Sequence, residues 1–212
     1  QVLIRLKLVV IAIMFSQLLC CNPCGNDVVI ERLTEGIPLK LAATILFKIP
    51  SPYKIASEHP LASYHTSLVF PDCELAFSSA GINKLPVLYS HQKGRFPTIV
   101  LEKGFTDKTA DEVIGLFAPH FQRGTYDLLR KNCNSFCDCS LWFLTGERID
   151  PEFRRLDKFG KKLVRNGGSG LLERVGIRYK PNAAADGFKV AWVVEDMEDD
   201  DSDDEEVDEN HA

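Results

Sequence analysis

A cysteine in the second half of the chain has the surroundings of a reactive thiol. Cys133 lies in the stretch YDLLRKNCNSFCDCSLWFLTG, at the start of a predicted helix that Asn132 would cap and Gly146 would end. The N-terminus of a helix carries roughly half a positive charge, which stabilises a thiolate, and Arg130 and Lys131 would add to that field. A thiolate in such a position is a nucleophile when a base lies beside it.

A histidine at the start of a predicted strand could supply that base. The segment YHTSLVF, residues 64–70, has the alternation of a strand, with Thr66 on one face and His65 and Ser67 on the other. An imidazole at a strand end beside a thiol at a helix start would accept the thiol proton and return it to a leaving group. These residues alone leave the pairing open, because a strand histidine can equally be structural and a buried cysteine inert.

The pair needs a scaffold that brings a strand to a helix, and the rest of the pattern predicts one. Strands are predicted at residues 28–33, 64–70, 74–77 and 98–101, and helices at 109–121, 132–144 and 158–164. Residues 39–49 are compatible with a strand or a short helix. This mixture predicts an α+β domain over residues 27–165, followed by a linker at 166–187.

The other cysteines and histidines fit no site. The chain has seven cysteines, an odd number, and no second cluster at zinc-ligand spacing accompanies those at 133–139. Reduced thiols in a cytoplasmic or nuclear protein are therefore predicted, with no metal and no cofactor. Cys137 is expected in the core, and Cys139 has no assigned role. His59, His91 and His120 are expected to be surface or structural residues.

Residues 1–26 form an apolar segment whose role the sequence leaves open. Arg5 and Lys7 precede a hydrophobic run at 8–15, an order typical of a signal peptide, so a secretory or membrane-associated protein is the alternative localisation. The run is shorter than the roughly 20 residues that cross a membrane. A buried strand or an extension of the gene model would leave the same pattern. Membrane association is expected only through residues 1–24, by acylation of their cysteines.

The charge of the chain is unevenly distributed. Residues 195–209 hold twelve of the thirty acidic residues, so the rest is net basic although the formal net charge is -5. Such a block repels itself and buries nothing, and residues 188–212 are therefore predicted to be a disordered acidic tail. The remaining length, in a chain that is 45% hydrophobic, suffices for one core. No nucleic-acid partner is predicted.

Two motifs, in this order and at this spacing, resemble the PPPDE family, the permuted papain-fold peptidases that include the DeSI deSUMOylating isopeptidases. YHTSLVF followed by ELAFSSAGI is similar to the family's W-H-T-S strand and glycine-rich return. YDLLRKNCNSF followed by FLTGERIDPEF is similar to the family's Y-x-L-x-x-N-C-N-x-F and L-T-G-x-x-I-P motifs. DVVIERLTEG resembles the opening strand more loosely, so the likeness covers residues 27–160. Tyr64 replaces the usual tryptophan, the loop has one glycine, and Pro151 comes one place late.

The resemblance implies a circularly permuted papain-like fold with His65 as the base and Cys133 as the nucleophile. It implies a cysteine isopeptidase that removes SUMO or ubiquitin from lysine side chains through a thioester. Backbone N–H groups at the helix start would stabilise the oxyanion, and Asn132 and Asn134 would assist them or only cap and shape the turn. Two other functions stay open: a protein S-acyl thioesterase with the same dyad, and a non-catalytic module that binds the modifier.

The segment FKVAWVVEDMEDDDSDDEE, residues 188–206, joins a β-prone run to a block of acids. It resembles a SUMO-interacting motif, which adds a strand to the edge of the modifier. The side chains inserted there would be Val190, Trp192, Val193 and Val194. A solubilising tail, or one that folds over the basic domain, is the alternative.

Overall fold

A five-stranded antiparallel sheet forms the frame of the domain. The computed structural model describes residues 36–48, 62–165, 172–173 and 178–200. The strands are β1 (Ile37–Lys48), β2 (Ala62–Val69), β3 (Glu74–Ser78), β4 (Gly81–Leu85) and β5 (Thr98–Thr106), in the spatial order β4-β3-β2-β1-β5. Most of the stretch 39–49, for which the sequence allowed either a strand or a short helix, belongs to strand β1. β2 and β3 form the predicted hairpin. The strand predicted at 28–33 lies outside the described residues.

Four α-helices accompany the sheet in the described part of the chain. They are α1 (Ala110–Phe117), α2 (Cys133–Thr145), α3 (Arg155–Arg165) and α4 (Val190–Asp200), with 3-10 turns at Tyr89–His91, Pro151–Arg154 and Ala183–Ala185. This confirms the predicted α+β class. Within the described ranges, no helix is both long enough and apolar enough to cross a membrane.

The core lies between one face of the sheet and the helices. Alternation along β1 directs Leu39 and Leu41 into it, and α2 packs across β2, β3 and β5. Phe136 of α2 is fully buried and meets the rings of Phe117 and Phe121 edge-on, with centroids 6.1 and 5.3 Å away. Helix α2 is therefore fixed to the sheet by aromatic packing close to its N-terminus.

One edge of strand β2 is only partly paired. β2 is paired with β1 along its whole length, but with β3 only at Leu68 and Val69. The backbone of residues 62–67 therefore has no strand partner on the β3 side. His65 belongs to this open stretch, and its register partner on β1 is Thr44.

The segment expected to be a disordered, β-prone tail begins as a helix. Val190, Val193 and Val194 are buried against the core, where α4 packs on α2, whereas Trp192 is 49% exposed. The three valines are spaced i, i+3, i+4, which places them on one face of a helix and outweighs their β-propensity. The extended conformation that a SUMO-interacting strand requires is not the one adopted here. Residues 201–212 lie outside the described residues.

Part of the segment expected to be a linker is also docked. Asn182 donates from its backbone to the buried Asp127 carboxylate at 2.9 Å, and the Tyr179 hydroxyl bonds the same group at 3.0 Å. Leu172 is buried with Leu129. These contacts join residues 178–182 of the predicted linker to the loop that precedes α2.

Candidate active site

The N-terminus of α2 is held by a complete capping box. The Asn132 side chain accepts from the Ser135 N–H at 3.0 Å, while the Ser135 hydroxyl approaches the Asn132 N–H. The Asn132 amide also donates to the carbonyl of Leu128 at 2.8 Å. At the other end Gly146 closes the helix with a φ of 70°, so both predicted boundaries are confirmed. Cys133 is consequently the first residue of the helix.

The Cys133 thiol lies against the open edge of β2. Its Sγ is 3.9 Å from the carbonyl oxygen of Tyr64, and the backbone N–H of Thr66 points at the sulfur. The Tyr126 hydroxyl reaches the same atom from the loop before the helix. The thiol therefore occupies the position that a partner strand would fill, beside the peptide groups on either side of His65.

Burial raises the pKa of the Cys133 thiol above its usual value. Hydrogen bonds from Thr66 and Tyr126 act in the opposite direction, and the nearby Asp157 carboxylate raises the pKa further. The side chain is 3% exposed, so little solvent reaches the sulfur. The thiol is thus protonated at neutral pH, and a reaction at this atom needs a base to remove the proton.

The two basic residues before the helix do not supply the expected positive field. The Arg130 guanidinium is bound to Asp127 and Asp186. The Lys131 ammonium lies over the Phe188 ring, 5.0 Å from its centroid. Both charges are engaged in other contacts. The sequence predicted that these two cations would stabilise a Cys133 thiolate, and it did not foresee these contacts.

His65 projects from the opposite face of β2 into a polar cluster. Its Nε2 is 2.6 Å from the hydroxyl of Ser90, and its ring is 4.8 Å from that of His91, centroid to centroid. The pKa of His65 is lowered to about 4, chiefly by burial and also by His91, while Glu74 acts in the opposite direction. The imidazole is therefore neutral at physiological pH and able to accept a proton.

A buried carboxylate organises the cluster around His65. Glu74 accepts from the Ser90 N–H at 3.1 Å and also binds the Ser90 hydroxyl. His91 is hydrogen-bonded at 2.8 Å to Thr44 through Nδ1 and at 2.8 Å to Ser67 through Nε2. The sequence placed His91 outside any motif and missed Ser90 and Glu74.

The structure brings His65 and Cys133 to the same edge of β2 but does not join them. Within the described residues the His65 ring is hydrogen-bonded to Ser90, while the thiol is within reach of the Tyr64 carbonyl at 3.9 Å and the Asn134 side-chain oxygen at 4.0 Å. Because side chains alternate along a strand, the imidazole and helix α2 lie on opposite faces, and only the open edge separates them.

The two asparagines that flank Cys133 are both engaged with protein groups. Asn134 accepts from the Thr66 hydroxyl at 2.9 Å and donates to Asp157 at 3.4 Å, and Asn132 caps the helix. Burial raises the pKa of Asp157 to about 6, although hydrogen bonds from both asparagines lower it. Asp157 and Tyr126 are further site neighbours that the sequence missed.

His65, Glu74 and His91 also have the chemistry of a metal-ligand set. One ligand atom from each lies within 4.8 Å of the others. Hydrogen bonds already engage these groups, however: Ser90 binds His65 and Glu74, while Thr44 and Ser67 bind His91. An ion here would have to displace these bonds, so the arrangement fits a hydrogen-bonded cluster better than a resident metal.

One protein-family model matches the part of the chain that carries this site. Residues 55–166, more than half of the chain, match the model of the PPPDE putative peptidase domain. The matched range contains β2 to β5, α1 to α3, and both His65 and Cys133. No curated protein matches the chain.

Proposed function

Because the chain belongs to the PPPDE peptidase family, we propose that it is a DeSI-type cysteine isopeptidase that removes SUMO or ubiquitin from lysine side chains. Cys133 is the nucleophile and His65 is the base. The observation that carries the proposal is the position of the thiol: it begins a capped helix and touches the peptide of Tyr64, the residue before His65. The imidazole and the thiol therefore flank one unpaired strand edge.

The dyad starts uncharged, since burial keeps the thiol protonated and the imidazole neutral. A rotation of the Cys133 side chain about the open edge brings the thiol to the ring, as is common when substrate enters a site that is relaxed without it. Catalysis then proceeds by general-base removal of the thiol proton, and charge develops only as the sulfur attacks.

The chemistry balances over two half-reactions. The Cys133 thiol gives its proton to His65 while the sulfur bonds to the isopeptide carbonyl carbon, and the C–N bond breaks as His65 returns that proton to the lysine amine. Water then gives a proton to His65 and adds to the thioester carbon. The C–S bond breaks, and the proton goes back to the sulfur.

The helix start supplies the developing oxyanion with a donor. The first N–H groups of a helix have no intrahelical acceptor, so the N–H of Cys133 is available beside the reacting sulfur. The amides of Asn132 and Asn134 already bond other groups, which favours a site-shaping role for both.

The burial of the nucleophile favours a slender substrate. With Cys133 only 3% exposed, a chain end must approach through a narrow space. Ubiquitin-like modifiers end in two glycines, whose lack of side chains makes them the thinnest peptide that can reach such a sulfur. We do not assign modifier binding to Val190, Trp192, Val193 and Val194, because a strand there would have to unfold α4 and expose its buried valines.

The test uses the full chain with SUMO and ubiquitin probes that carry a cysteine-reactive C-terminus. We expect labelling by one or both probes, lost in Cys133→Ala and in His65→Ala, with the preferred probe naming the modifier. The matched control is Cys73→Ala, a buried cysteine at the start of the β2–β3 return, which should still be labelled. Circular dichroism verifies that each variant is folded.

Two other outcomes lead elsewhere. Hydrolysis of an S-acylated peptide that depends on Cys133, without labelling by either probe, would replace the isopeptidase by a thioesterase. Binding of SUMO or ubiquitin by a folded protein that neither is labelled nor hydrolyses S-acyl groups would leave a modifier-binding module.

A further inference from the structure

We propose that Glu74 and Ser90 are positioning residues that hold His65 in a single tautomer, with Nδ1 as the nitrogen that takes the thiol proton. This inference rests on the proposed function for its catalytic consequence, but the tautomer itself can be observed without any substrate. The two residues and their contacts with each other and with His65 are named the Glu74–Ser90 bridge.

The bridge is a continuous chain of contacts. Glu74 is fully buried at the start of β3, where it pairs with Val69 and Leu85 in the sheet. Its two oxygens bind the N–H and the hydroxyl of Ser90, and the Ser90 oxygen is 2.6 Å from Nε2 of His65. A carboxylate held in a sheet thus reaches the imidazole through one hydroxyl.

The direction of each hydrogen bond follows from the donors available. As a carboxylate, Glu74 can only accept, so the Ser90 hydroxyl must donate its single hydrogen to it. The Ser90 oxygen then has only lone pairs left for His65, and the contact at 2.6 Å requires a hydrogen on Nε2. In a neutral imidazole the lone pair is therefore on Nδ1.

The neighbouring His91 also approaches the carboxylate, with its Nε2 3.5 Å from the Glu74 oxygen that binds the Ser90 hydroxyl, but its closer contacts lie elsewhere. Both nitrogens of His91 are engaged, Nδ1 with Thr44 and Nε2 with Ser67, at 2.8 Å each. Its ring lies 4.8 Å from that of His65 and limits the rotation of the latter. Ser90 therefore remains the hydrogen-bond partner of Nε2 of His65.

The loop that carries Ser90 is itself held in an unusual conformation. Leu88 has a φ of 59°, which a branched side chain rarely adopts, and the 3-10 turn Tyr89–His91 follows at once. The Tyr89 N–H closes this turn on the Pro86 carbonyl at 3.0 Å. Strained backbone of this kind persists where its surroundings over-determine it, and here the turn presents both Ser90 and His91 to the strand.

The bridge also has a consequence after the proton has moved. When Nδ1 has taken the thiol proton, the imidazolium still donates from Nε2 to Ser90, and the Glu74 carboxylate lies on the far side of that hydroxyl. The carboxylate stabilises the positive ring without taking a proton from it. Glu74 and Ser90 touch neither the substrate nor the sulfur and act through His65.

The experiment reads the ring nitrogens of His65 by ¹⁵N NMR in the full chain, assigned by their loss in His65→Gln. We expect the Nε2–H tautomer in the unmodified protein. Ser90→Ala should give a mixture of tautomers and lower kcat by about 10- to 100-fold, with KM changed less than about twofold. Ser90→Thr keeps a hydroxyl and should restore much of both. Ser79→Ala, at an exposed serine, is the matched control.

Glu74→Gln gives the sharper test because it reverses the direction of the hydrogen bonds in the Glu74–Ser90 bridge. The backbone N–H of Ser90 can only donate, so it binds the oxygen of the new side-chain amide. The NH₂ group of that amide then faces the Ser90 hydroxyl oxygen. Ser90 must then donate to His65, which moves the ring hydrogen to Nδ1 and turns the lone pair away from the thiol. We expect the Nδ1–H tautomer and a low kcat in a folded protein.

Two results would overturn the inference: an Nδ1–H ring in the unmodified protein, or a tautomer and kcat that Ser90→Ala leaves unchanged. Either can occur while Cys133→Ala abolishes labelling, which would retain the proposed function and remove the bridge. If labelling survives Cys133→Ala but the tautomers shift as expected, the catalytic proposal fails and the bridge stands as a structural device.

Discussion

The two sides of strand β2 are built from different interactions. On the side of α2, Thr66 bonds Asn134, and an aromatic core packed around Phe136 fixes the helix. On the other side, His65 and Ser67 enter a cluster of hydrogen bonds with little apolar packing. We name these the helix side and the polar side. The helix side fixes Cys133, the proposed nucleophile, by packing, and the polar side orients His65, the proposed base, by hydrogen bonds.

Burial acts on both sides and suppresses charge near the thiol. It raises the pKa of Asp157 to about 6 on the helix side and lowers the pKa of His65 to about 4 on the polar side. An acid and a base are thus both moved toward their neutral forms. The comparison teaches that the thiol and the imidazole both begin without charge, and that hydrogen-bond direction rather than ion pairing between them orders the site.

The helix side should carry much more stability than the polar side. Phe136→Ala removes a fully buried ring from the aromatic core and should lower the free energy of unfolding by about 3–5 kcal/mol. Ser67→Ala removes one hydrogen bond to His91 and should cost about 1–2 kcal/mol. Urea unfolding measures both, with Phe105→Ala, at a ring that is 64% exposed, as the control. Equal losses for Phe136 and Ser67 would remove the distinction between the two sides.

Acid should destabilise the protein through the polar side. The folded pKa of His65, about 4, lies below its ordinary value of 6.5, so the unfolded chain binds the proton first as the pH falls. The free energy of unfolding should therefore decrease by about 3 kcal/mol between pH 6.5 and pH 4 on account of this residue. His65→Gln removes that contribution.

Urea unfolding at pH 7, 5.5 and 4 isolates the effect as the difference between His65→Gln and the unmodified protein. Relative to the unmodified protein, the variant should gain stability as the pH falls. Parallel pH profiles would mean that His65 titrates normally and that the polar side does not exclude its charge.

The helix side should respond to acid with the opposite sign. The folded pKa of Asp157, about 6, lies above its ordinary value of 3.8, so the folded protein binds the proton first. Its contribution to stability is complete below pH 3.8 and is lost as the pH rises through 6, by about 3 kcal/mol. Asp157→Asn mimics the neutral acid, so its profile should rise more steeply with pH than that of the unmodified protein. A profile with the same slope as His65→Gln would contradict the opposition of the two sides.

Local sequence patterns predicted the helix side better than the polar side. Asn132 before the apolar run and Gly146 after it mark the ends of α2 through interactions within a few residues, so the helix could be placed from the sequence. The alternation of side chains along residues 64–70 likewise predicted which face of β2 carries His65. These features are local, and the family motifs that surround them reinforced each one.

The parts that the sequence missed depend on tertiary contacts. Ser90 is 25 residues from His65 and reaches it through a loop whose path no periodicity records. Glu74 could have been noticed as a charged residue opening an otherwise apolar strand, a position where burial demands a partner. The α4 segment was misread because valine favours strands, while packing on α2 selected the helix from the spacing of Val190, Val193 and Val194.

The smallest expected effect separates α2, which carries the proposed nucleophile, from α1, which does not. Asn132 and Thr109 each complete a capping box, at the start of α2 and of α1 respectively. Replacing either by alanine should cost about 1 kcal/mol in unfolding free energy, because one orphan N–H loses its acceptor. Only Asn132→Ala should also slow labelling of Cys133 by the modifier probe, since fraying of the first turn displaces the sulfur from the Tyr64 carbonyl. The measurement is the rate of labelling in the two variants, compared at equal loss of unfolding free energy. If Thr109→Ala slows labelling as much as Asn132→Ala, the effect comes from global stability, and the Asn132 cap has no part in placing the thiol.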